Sequence, residues 1–275
     1  MRIAYQGEPG AFSEAASRQV DAAADLMPCR SFDQVFDAVE QGQADVGVLP
    51  IENSIGGSIH RNFDLLLEHA LPIVGELEVP VVHHLLALPG VALEDVRRIY
   101  SHPQAIAQCE RFLRTLHGVD VIASYDTAGS AKLIADERWT DAAAIASSRA
   151  ADVFGLATVR AAIQDFDSNT TRFLMVGRSP ITDETVNKTS LVFTVANEPG
   201  ALAKALQVFA MRGLDLTKLE SRPVRDRKWE YLFYVDLAVA RTDARCEQAL
   251  ADLGAFATMV RVLGSYPSVK AEERR

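Results

Sequence analysis

The sequence predicts an α/β protein in two parts, a larger α/β region followed by a small βαββαβ domain. In the first two-thirds of the chain, short apolar runs alternate with amphipathic helical stretches. A polar, proline-containing stretch at 177–184 ends that pattern, and the remaining residues follow the order strand, helix, strand, strand, helix, strand. The length of 275 residues agrees with this division, since a domain takes about 150 residues.

The first part opens with a predicted strand over 2–6 and a helix over 13–20, joined by a glycine- and proline-containing loop. Apolar residues at helical spacing predict a second helix; they are Phe32, Val35, Phe36 and Val39. The apolar run 46–49 predicts a buried strand that Pro50 closes. The same order returns with a helix over 127–136 and a strand over 142–145. We interpret the repetition as two similar lobes around a cleft, although any α/β chain can show such an echo.

The second part has a different pattern of apolar residues. Alternating apolar residues from Leu191 predict a strand, and an apolar stripe over 202–210 predicts a helix that ends at Gly213. Further strands are predicted over 214–221 and 231–239 and around Val260, with a second helix capped by Thr242-Asp243. These elements give the ferredoxin-like order in about 80 residues. We expect the tail over 270–275 to fray.

Charge and composition exclude several classes of protein. The net charge is −9, from 28 basic and 37 acidic residues, which argues against a nucleic-acid binder and against adhesion to anionic lipid. The three cysteines are far apart, which favours reduced, buried thiols in a cytosolic protein. A strand-like run follows Met1-Arg2 directly, so no secretory signal is expected. The histidines form no HxxxH pair, and neither a metal site nor a cofactor is expected.

Four polar clusters mark the candidate site. They lie at strand ends or open a helix: Glu52-Asn53-Ser54 with Gly56-Gly57-Ser58, Ser101-His102-Pro103-Gln104 with Gln108, Asp126-Thr127-Ala128-Gly129-Ser130, and Ser168-Asn169-Thr170-Thr171-Arg172-Phe173. Each cluster alone is typical of turns and helix caps. Together they suit an anionic organic substrate held by Arg172 and by helix N-termini, without naming a reaction.

Several of these segments resemble the motifs of prephenate dehydratases, in the order of that family. The segment Thr171-Arg172-Phe173 resembles the TRF signature, and Pro50-Ile51-Glu52-Asn53-Ser54 resembles the P-[IL]-E-N-[ST] segment. The segments 5–13 and 101–108 are similar to two further family segments. In the second part, Pro199-Gly200-Ala201-Leu202 and Glu220-Ser221-Arg222-Pro223 resemble the GAL and ESRP motifs of the regulatory ACT domain.

The resemblance implies a catalytic domain over 1–178 with a type II periplasmic-binding-protein-like fold, whose second lobe covers about 80–165, and an ACT domain over 188–267. It implies a lyase that converts prephenate to phenylpyruvate, water and carbon dioxide. Because no chorismate mutase segment precedes the first motif, we expect a monofunctional enzyme. We also expect a cytosolic homodimer or homotetramer.

The resemblance also assigns roles within the catalytic part. Thr171 lies nearest the leaving hydroxyl and donates a hydrogen bond or relays a proton. Glu52 either supplies the proton or only orients Asn53 and Thr171. Arg172 either binds a substrate carboxylate or pairs with Asp165 or Asp167 as scaffold. The other residues expected to bind substrate are Ser54, Ser101, Gln104, Gln108, Thr127 and Phe173.

In the ACT domain, the resemblance implies a phenylalanine site at the start of a helix, where free N–H groups can hold a carboxylate. The residues expected to form it are Asn197, Gly200, Ala201, Leu202, Glu220, Ser221, Arg222 and Pro223. The last four are expected to complete the pocket across a subunit interface.

Two other functions are compatible with the sequence. Arogenate dehydratase performs the same chemistry on the transaminated substrate, and the segments 48–67 and 86–91 are similar to that branch of the family. A non-catalytic amino-acid sensor would also need two lobes and an ACT domain, but binding alone would not need the TRF and ENS segments together.

Overall fold

A computed structural model describes residues 1–224 and 229–268, so the tail for which we expect fraying lies outside the described residues. The chain forms two compact units. The first contains Met1–His69 and Leu77–Leu174, and the second contains Ala70–Glu76 and the described residues from Met175 onward. The strands β5 and β11 carry the chain from one unit to the other: β5 is Ile73–Pro80 and β11 is Thr170–Gly177.

The first unit begins with an α/β lobe. Its elements are β1 (Arg2–Gln6), α1 (Phe12–Val20), β2 (Asp25–Cys29), α2 (Phe32–Glu40), β3 (Val46–Asn53), β4 (Gly57–Ser58) and α3 (His60–Glu68). Strand β1 pairs in parallel with β2 and with β3, and β3 also pairs with β11. The side chains of Ile3, Val35 and Phe36 are fully buried and form the interface between sheet and helices.

The second lobe of the first unit has its own sheet. Its elements are β6 (His84–Ala87), β7 (Arg98–Ser101), α4 (Pro103–Ala107), α5 (Glu110–Leu113), β8 (Asp120–Ala123), α6 (Thr127–Glu137), β9 (Ala142–Ala146), α7 (Ser148–Phe154) and β10 (Ala157–Arg160), with a 3₁₀ turn at Leu93–Asp95. The strand order is β10-β6-β9-β7-β8. Every residue of β9 is buried, and four of its five residues are alanine, which allows α6 to pack closely on the sheet.

The second unit contains the predicted βαββαβ order. Its elements are β12 (Lys188–Thr194), α8 (Ala201–Ala210), β13 (Leu216–Pro223), β14 (Tyr231–Leu237), α9 (Ala244–Gly254) and β15 (Met259–Tyr266). The strand order β13-β14-β12-β15 is antiparallel throughout. One apolar core joins the helices to the sheet through Leu191, Phe209 and Leu253.

The first part of β5 extends this sheet, because Ile73 pairs in parallel with Gly264 of β15. A Cβ atom at Gly264 would lie 2.3 Å from the carbonyl oxygen of Ile73, so only glycine permits the pairing. Lys188 and Glu76 form a buried ion pair at 2.6 Å beside it. The sequence does not reveal that residues 70–76 pack with the C-terminal strands, since an apolar strand shows no preference for one sheet.

One local prediction is wrong, and an edge strand was missed. The strand predicted to close at Pro50 runs on to Asn53, and the Pro50 carbonyl accepts a hydrogen bond from Asn62 at 2.6 Å. Proline lacks only the N–H donor, so it can lie within a strand where that donor is not needed. Strand β2 contains Pro28 and was not predicted; it is the last strand on its side of the first lobe's sheet.

Among the described residues, no helix is both long and apolar enough to cross a membrane. The three cysteines, Cys29, Cys109 and Cys246, are buried free thiols, as predicted.

Candidate active site

A cavity of about 420 Å³, called here the main cavity, lies between the two lobes of the first unit. Loops after β1, the end of β3 and the start of β11 form one wall, and the second lobe forms the other. Its lining includes Gln6, Asn53, His83, Gln104, Gln108, Tyr125, Asp126, Thr127, Thr171 and Phe173. Polar strand ends from two sheets therefore meet at one cavity, which is where α/β folds place ligands.

Asn53 holds Thr171 in a defined orientation. The backbone N–H groups of Ile55 and Gly56 donate to Asn53 Oδ1 at 3.1 and 2.7 Å, which fixes the direction of the amide. Asn53 Nδ2 therefore faces β11 and donates to Thr171 Oγ1 at 3.0 Å. Because this oxygen accepts from Asn53, the hydroxyl hydrogen of Thr171 is available to a ligand.

Gln108 links the second lobe to Asn53. Its Nε2 donates to Asn53 Oδ1 at 3.1 Å, and its Oε1 accepts from Asn169 Nδ2 at 2.9 Å. The same oxygen lies 2.9 Å from His83 Nε2. A chain of hydrogen bonds thus runs from His83 through Gln108 and Asn53 to Thr171.

Burial favours the neutral form of His83, and the hydrogen bond to Gln108 indicates its tautomer. Burial lowers the pKa of His83, which is 2% exposed. Since Gln108 Oε1 is an acceptor, His83 Nε2 carries the proton and donates it. Nδ1 is then an acceptor, and it has no hydrogen-bond partner among the residues that the structure describes. It offers a lone pair beside the cavity.

Gln104 approaches the loop after β3 because that loop has no side chain at Gly56. A Cβ atom there would lie 1.7 Å from Gln104 Nε2. Gln104 is in the first turn of α4, whose N-cap His102 accepts the Gln104 N–H at 3.2 Å. Gln104 therefore lies beside the loop after β3, and Gln104 and Asn53 both line the main cavity.

Asp126 lies where the main cavity meets a second one of about 510 Å³, called here the side cavity. The two share Gln6, Gly7, Tyr125 and Asp126 in their linings. Asp126 is the N-cap of α6 and accepts the N–H of Gly129. Burial, and then the charge of Glu8, raise the pKa of Asp126 above its usual value.

The structure does not place every predicted site residue at the main cavity. Glu52, Ser54, Ser101 and Arg172 are absent from its lining among the described residues. Strand alternation explains Glu52 and Arg172, because Asn53, Thr171 and Phe173 occupy the cavity-facing positions of β3 and β11. Ser101 is fully buried and donates to the Ile145 carbonyl at 2.7 Å. Ser54 donates to the Ser168 carbonyl at 3.0 Å.

The residues predicted to bind phenylalanine lie at one end of the sheet of the second unit. Asn197, Gly200, Ser221 and Pro223 are exposed, whereas Ala201, Leu202, Glu220 and Arg222 are half-buried. Gly200 caps α8 with φ of 83°, a left-handed conformation that favours glycine. Thr194 pairs with Leu232, which pairs with Arg222, so β14 separates the two motifs in the sheet.

Sequence reasoning missed several lining residues. Asp126 belongs to a polar cluster but was not chosen, and His83 was considered only as a metal ligand. Phe12 packs edge-on against His83, with ring centroids 5.6 Å apart. The sequence signal for His83 was a histidine directly after apolar residues. Asp126 was interpreted as a helix cap, so its position in the cavity lining was not predicted.

The structure also contains one group of described residues with metal-ligand geometry, Asp37, Glu40 and His69, outside both cavities. His69 Nδ1 lies 3.0 Å from Glu40 Oε1, so a direct contact between the two side chains accounts for part of this cluster.

Comparison with known proteins identifies relatives of the whole chain. Residues 3–181 match the prephenate dehydratase family, and residues 189–255 match the ACT domain family. The protein named arogenate dehydratase/prephenate dehydratase 2, chloroplastic, from Arabidopsis thaliana is 51% identical over 97% of this chain and 73% of its own length. Arogenate dehydratase 2 of Petunia hybrida is 49% identical over 98% of this chain and 72% of its own length.

Two solved structures share the fold over nearly the full length. Prephenate dehydratase from Arthrobacter aurescens, in complex with L-Phe, has a TM-score of 0.89 and 34% identity, covering 99% of this chain and 94% of that one. A protein described as a novel type of quorum-quenching acylase also has a TM-score of 0.89, with 37% identity over 99% of this chain and 100% of that one. The predicted fold class, a two-lobed α/β region with a ferredoxin-like ACT domain, is confirmed.

The predicted cytosolic location is wrong by the same comparison. The Arabidopsis relatives with 51%, 48% and 47% identity are named as chloroplastic proteins, which contradicts the cytosolic expectation. Reduced, buried cysteines were the sequence argument, and they do not distinguish one reducing compartment from another.

Proposed function

The chain belongs to the prephenate dehydratase family, and we propose that it converts prephenate to phenylpyruvate, with arogenate as the alternative substrate at the same site. Arogenate would give phenylalanine directly. The names of the plant relatives support both substrates. They also argue against the alternative of a non-catalytic amino-acid sensor.

The proposed reaction is an elimination that makes the ring aromatic. The bond from the ring to its carboxylate breaks and releases carbon dioxide. The electron pair moves through the ring and expels the hydroxyl on the opposite carbon, which takes up one proton from solvent overall and leaves as water. The enzyme must stabilise the negative charge that develops on the departing oxygen.

The contact between Asn53 and Thr171 is the observation that carries the proposal. Two backbone N–H groups fix the Asn53 amide, and Asn53 in turn occupies the acceptor side of Thr171. The Thr171 hydroxyl is therefore preorganised to donate to the departing oxygen. One such donor is typically worth about 10²- to 10³-fold in kcat.

The remaining predicted residues divide by position. We propose that Gln104, Gln108, Thr127 and Phe173 bind the substrate, since all four line the main cavity. For Glu52, Ser54, Ser101 and Arg172 we propose positioning roles behind that lining. Of the two roles considered for Glu52, we therefore favour the one in which it orients Asn53 over the one in which it supplies the proton.

We also propose the division into a catalytic domain over 1–178, with a second lobe over about 80–165, and an ACT domain over 188–267. The two family matches support these bounds.

The Arthrobacter relative holds L-Phe, which supports phenylalanine as effector of this chain. Strand β13 is an edge of its sheet within the described residues, and its Leu219 is exposed. That edge supports a homodimer or homotetramer.

Initial rates on both substrates test the proposal. We expect release of phenylpyruvate from prephenate and of phenylalanine from arogenate, each followed by chromatography. A purified, folded chain that turns over neither substrate would rule the proposal out.

The acylase relative favours a second candidate activity, the hydrolysis of an N-acyl amide, through its 37% identity over almost the entire chain. Release of a free fatty acid from an N-acylated amine, measured beside the two dehydratase assays, would detect it. Loss of acyl hydrolysis in a Thr171→Ala variant would locate both activities in one cavity.

A further inference from the structure

We infer that Asp126 makes the main cavity prefer a substrate whose side chain carries an ammonium group over one that carries a ketone. An arogenate-type amino acid would then be the better substrate, and prephenate the poorer one. The inference rests on the proposed function and goes beyond it by naming the residue that sets substrate choice.

The charges of the lining provide the first argument. Within the described part of the chain, Asp126 is the one carboxylate that lines the main cavity, and neither lysine nor arginine lines it. Prephenate would bring two negative charges beside this carboxylate and no positive charge. Arogenate carries the same two carboxylates together with an ammonium group, which attracts Asp126 instead of repelling it.

The carboxylate of Asp126 can accept further hydrogen bonds from a substrate ammonium group. It accepts the backbone N–H of Gly129, and the backbone N–H of Glu8 also bonds to it. A carboxylate has about four acceptor positions, so a substrate ammonium can bind without displacing the helix cap. In the described structure no lysine or arginine forms an ion pair with it, and His102 is the cation-forming side chain that acts on it.

The surroundings of Asp126 increase the stabilisation that a cationic ligand would give its ionised form. Its pKa is raised by burial and by Glu8, so the ionised form is poorly stabilised in the free protein. Glu8 itself is paired with Lys132 at 3.2 Å and is thereby largely satisfied. An ammonium group at Asp126 would compensate a partly buried carboxylate that no described lysine or arginine pairs with.

The side cavity provides the second argument. Asp126 and Arg30 both line it, as does Glu8, whose charge Lys132 balances at 3.2 Å. The end group of an amino acid carries an ammonium and a carboxylate on one carbon, and it is complementary to such a pair of opposite charges. A 2-keto acid offers a carboxylate to Arg30 but nothing to Asp126. The ring would then lie in the main cavity, near Asn53 and Thr171.

The test compares the two substrates in an Asp126→Asn variant. Asparagine caps a helix as well as aspartate does, so the substitution removes the charge and keeps the fold of α6. In the unmodified enzyme, kcat/KM should be higher for arogenate than for prephenate. In the variant, kcat/KM for arogenate should fall at least about tenfold, and that for prephenate should stay equal or rise.

Asp243→Asn is the matched control, because Asp243 caps α9 in the same way and lies outside both cavities. It should leave both rates unchanged. Asp126→Ser, which also preserves a cap, should shift the ratio in the same direction as Asp126→Asn.

Two results would contradict the inference, and a third would contradict the proposed function on which it rests. Equal losses on both substrates would show a structural role for Asp126 and overturn the inference, as would an unmodified enzyme that prefers prephenate. An unmodified enzyme that acts on neither substrate would instead remove the proposed function.

Discussion

At the scale of single residues, the site depends on the direction of amide groups rather than on strong acids or bases. Asn53 and Gln108 can each point either way, and their neighbours decide. Backbone donors at Ile55 and Gly56 fix Asn53, and Gln108 must then present Nε2 to Asn53 and Oε1 to Asn169 and His83. The result is a Thr171 hydroxyl with one free direction, towards the main cavity.

Replacing Thr171 tests this arrangement. Thr171→Ala removes the donor, and we expect kcat to fall about 10²- to 10³-fold with a much smaller change in KM, because the interaction strengthens only as charge develops. Thr171→Ser keeps the hydroxyl and should recover most of the rate. Steady-state kinetics on the better substrate measure both variants, and a Thr171→Ala enzyme with normal kcat would contradict the role.

The motifs singled out Asn53, Thr171, Gln104 and Gln108, and all four line the main cavity. Alternation in β3 and β11 could have excluded Glu52 and Arg172 from the lining, since a strand turns neighbouring side chains to opposite faces. His83 and Asp126 were not chosen because their position depends on how the two lobes meet, and this is not encoded in any local pattern.

At the scale of elements, α1 and α7 hold the two lobes of the first unit together. Glu14 of α1 is 4% exposed and accepts from Arg149 of α7 at 2.6 and 3.0 Å. Beside it, Ser147 donates to the Gly10 carbonyl at 2.6 Å. A Cβ atom at Gly10 would lie 2.8 Å from the backbone of Ala150, so glycine permits this close approach.

The ion pair predicts how stability depends on pH. Burial alone would raise the pKa of Glu14, but the hydrogen bonds from Arg149 and from the Gly10 N–H outweigh it and lower that pKa. A lowered carboxyl pKa contributes stability above the value of the unfolded chain, about 4.3, and this contribution is lost as the pH falls through the folded value.

Glu14→Gln should therefore destabilise the protein by about 1–2 kcal/mol at pH 7, and the difference from the unmodified protein should shrink under acid conditions. Urea unfolding at several pH values measures this. Glu110→Gln is the control, since Glu110 forms an exposed pair with Arg114 and should change stability by less than about 0.5 kcal/mol. A Glu14→Gln deficit that is independent of pH would contradict the ion-pair argument.

The order of the longer elements was predictable where the apolar period is clear, as in α2 and in the βαββαβ order of the second unit, whereas β2 was not predicted. The sheet that each strand joins was harder to predict from the sequence. The run at 73–76 reads as an ordinary buried strand, yet Ile73 pairs with Gly264, almost 200 residues further along the chain. Long-range pairing of this kind depends on which edge is open after folding, and a local pattern does not contain that information.

At the scale of the whole molecule, the proposal requires that phenylalanine bound at one unit changes the rate at the other. Coupling of this kind typically changes affinity about 5- to 150-fold, and it needs two states that differ in their affinity for the effector. Gly200 is suited to a test because it caps α8 with a left-handed backbone and has no atom close to the place of a Cβ.

Gly200→Val forces a β-branched residue into that conformation, so the cap should shift and displace the N–H groups proposed to hold the carboxylate. We expect calorimetry to show at least about tenfold weaker phenylalanine binding, and the activity response should move to correspondingly higher phenylalanine concentrations. Gly213→Val is the matched control, because Gly213 has φ of 62° and open space beyond the other end of α8. It introduces similar strain, so its phenylalanine response should persist. Equal losses in both variants would mean that strain in α8, rather than the effector site, explains the effect.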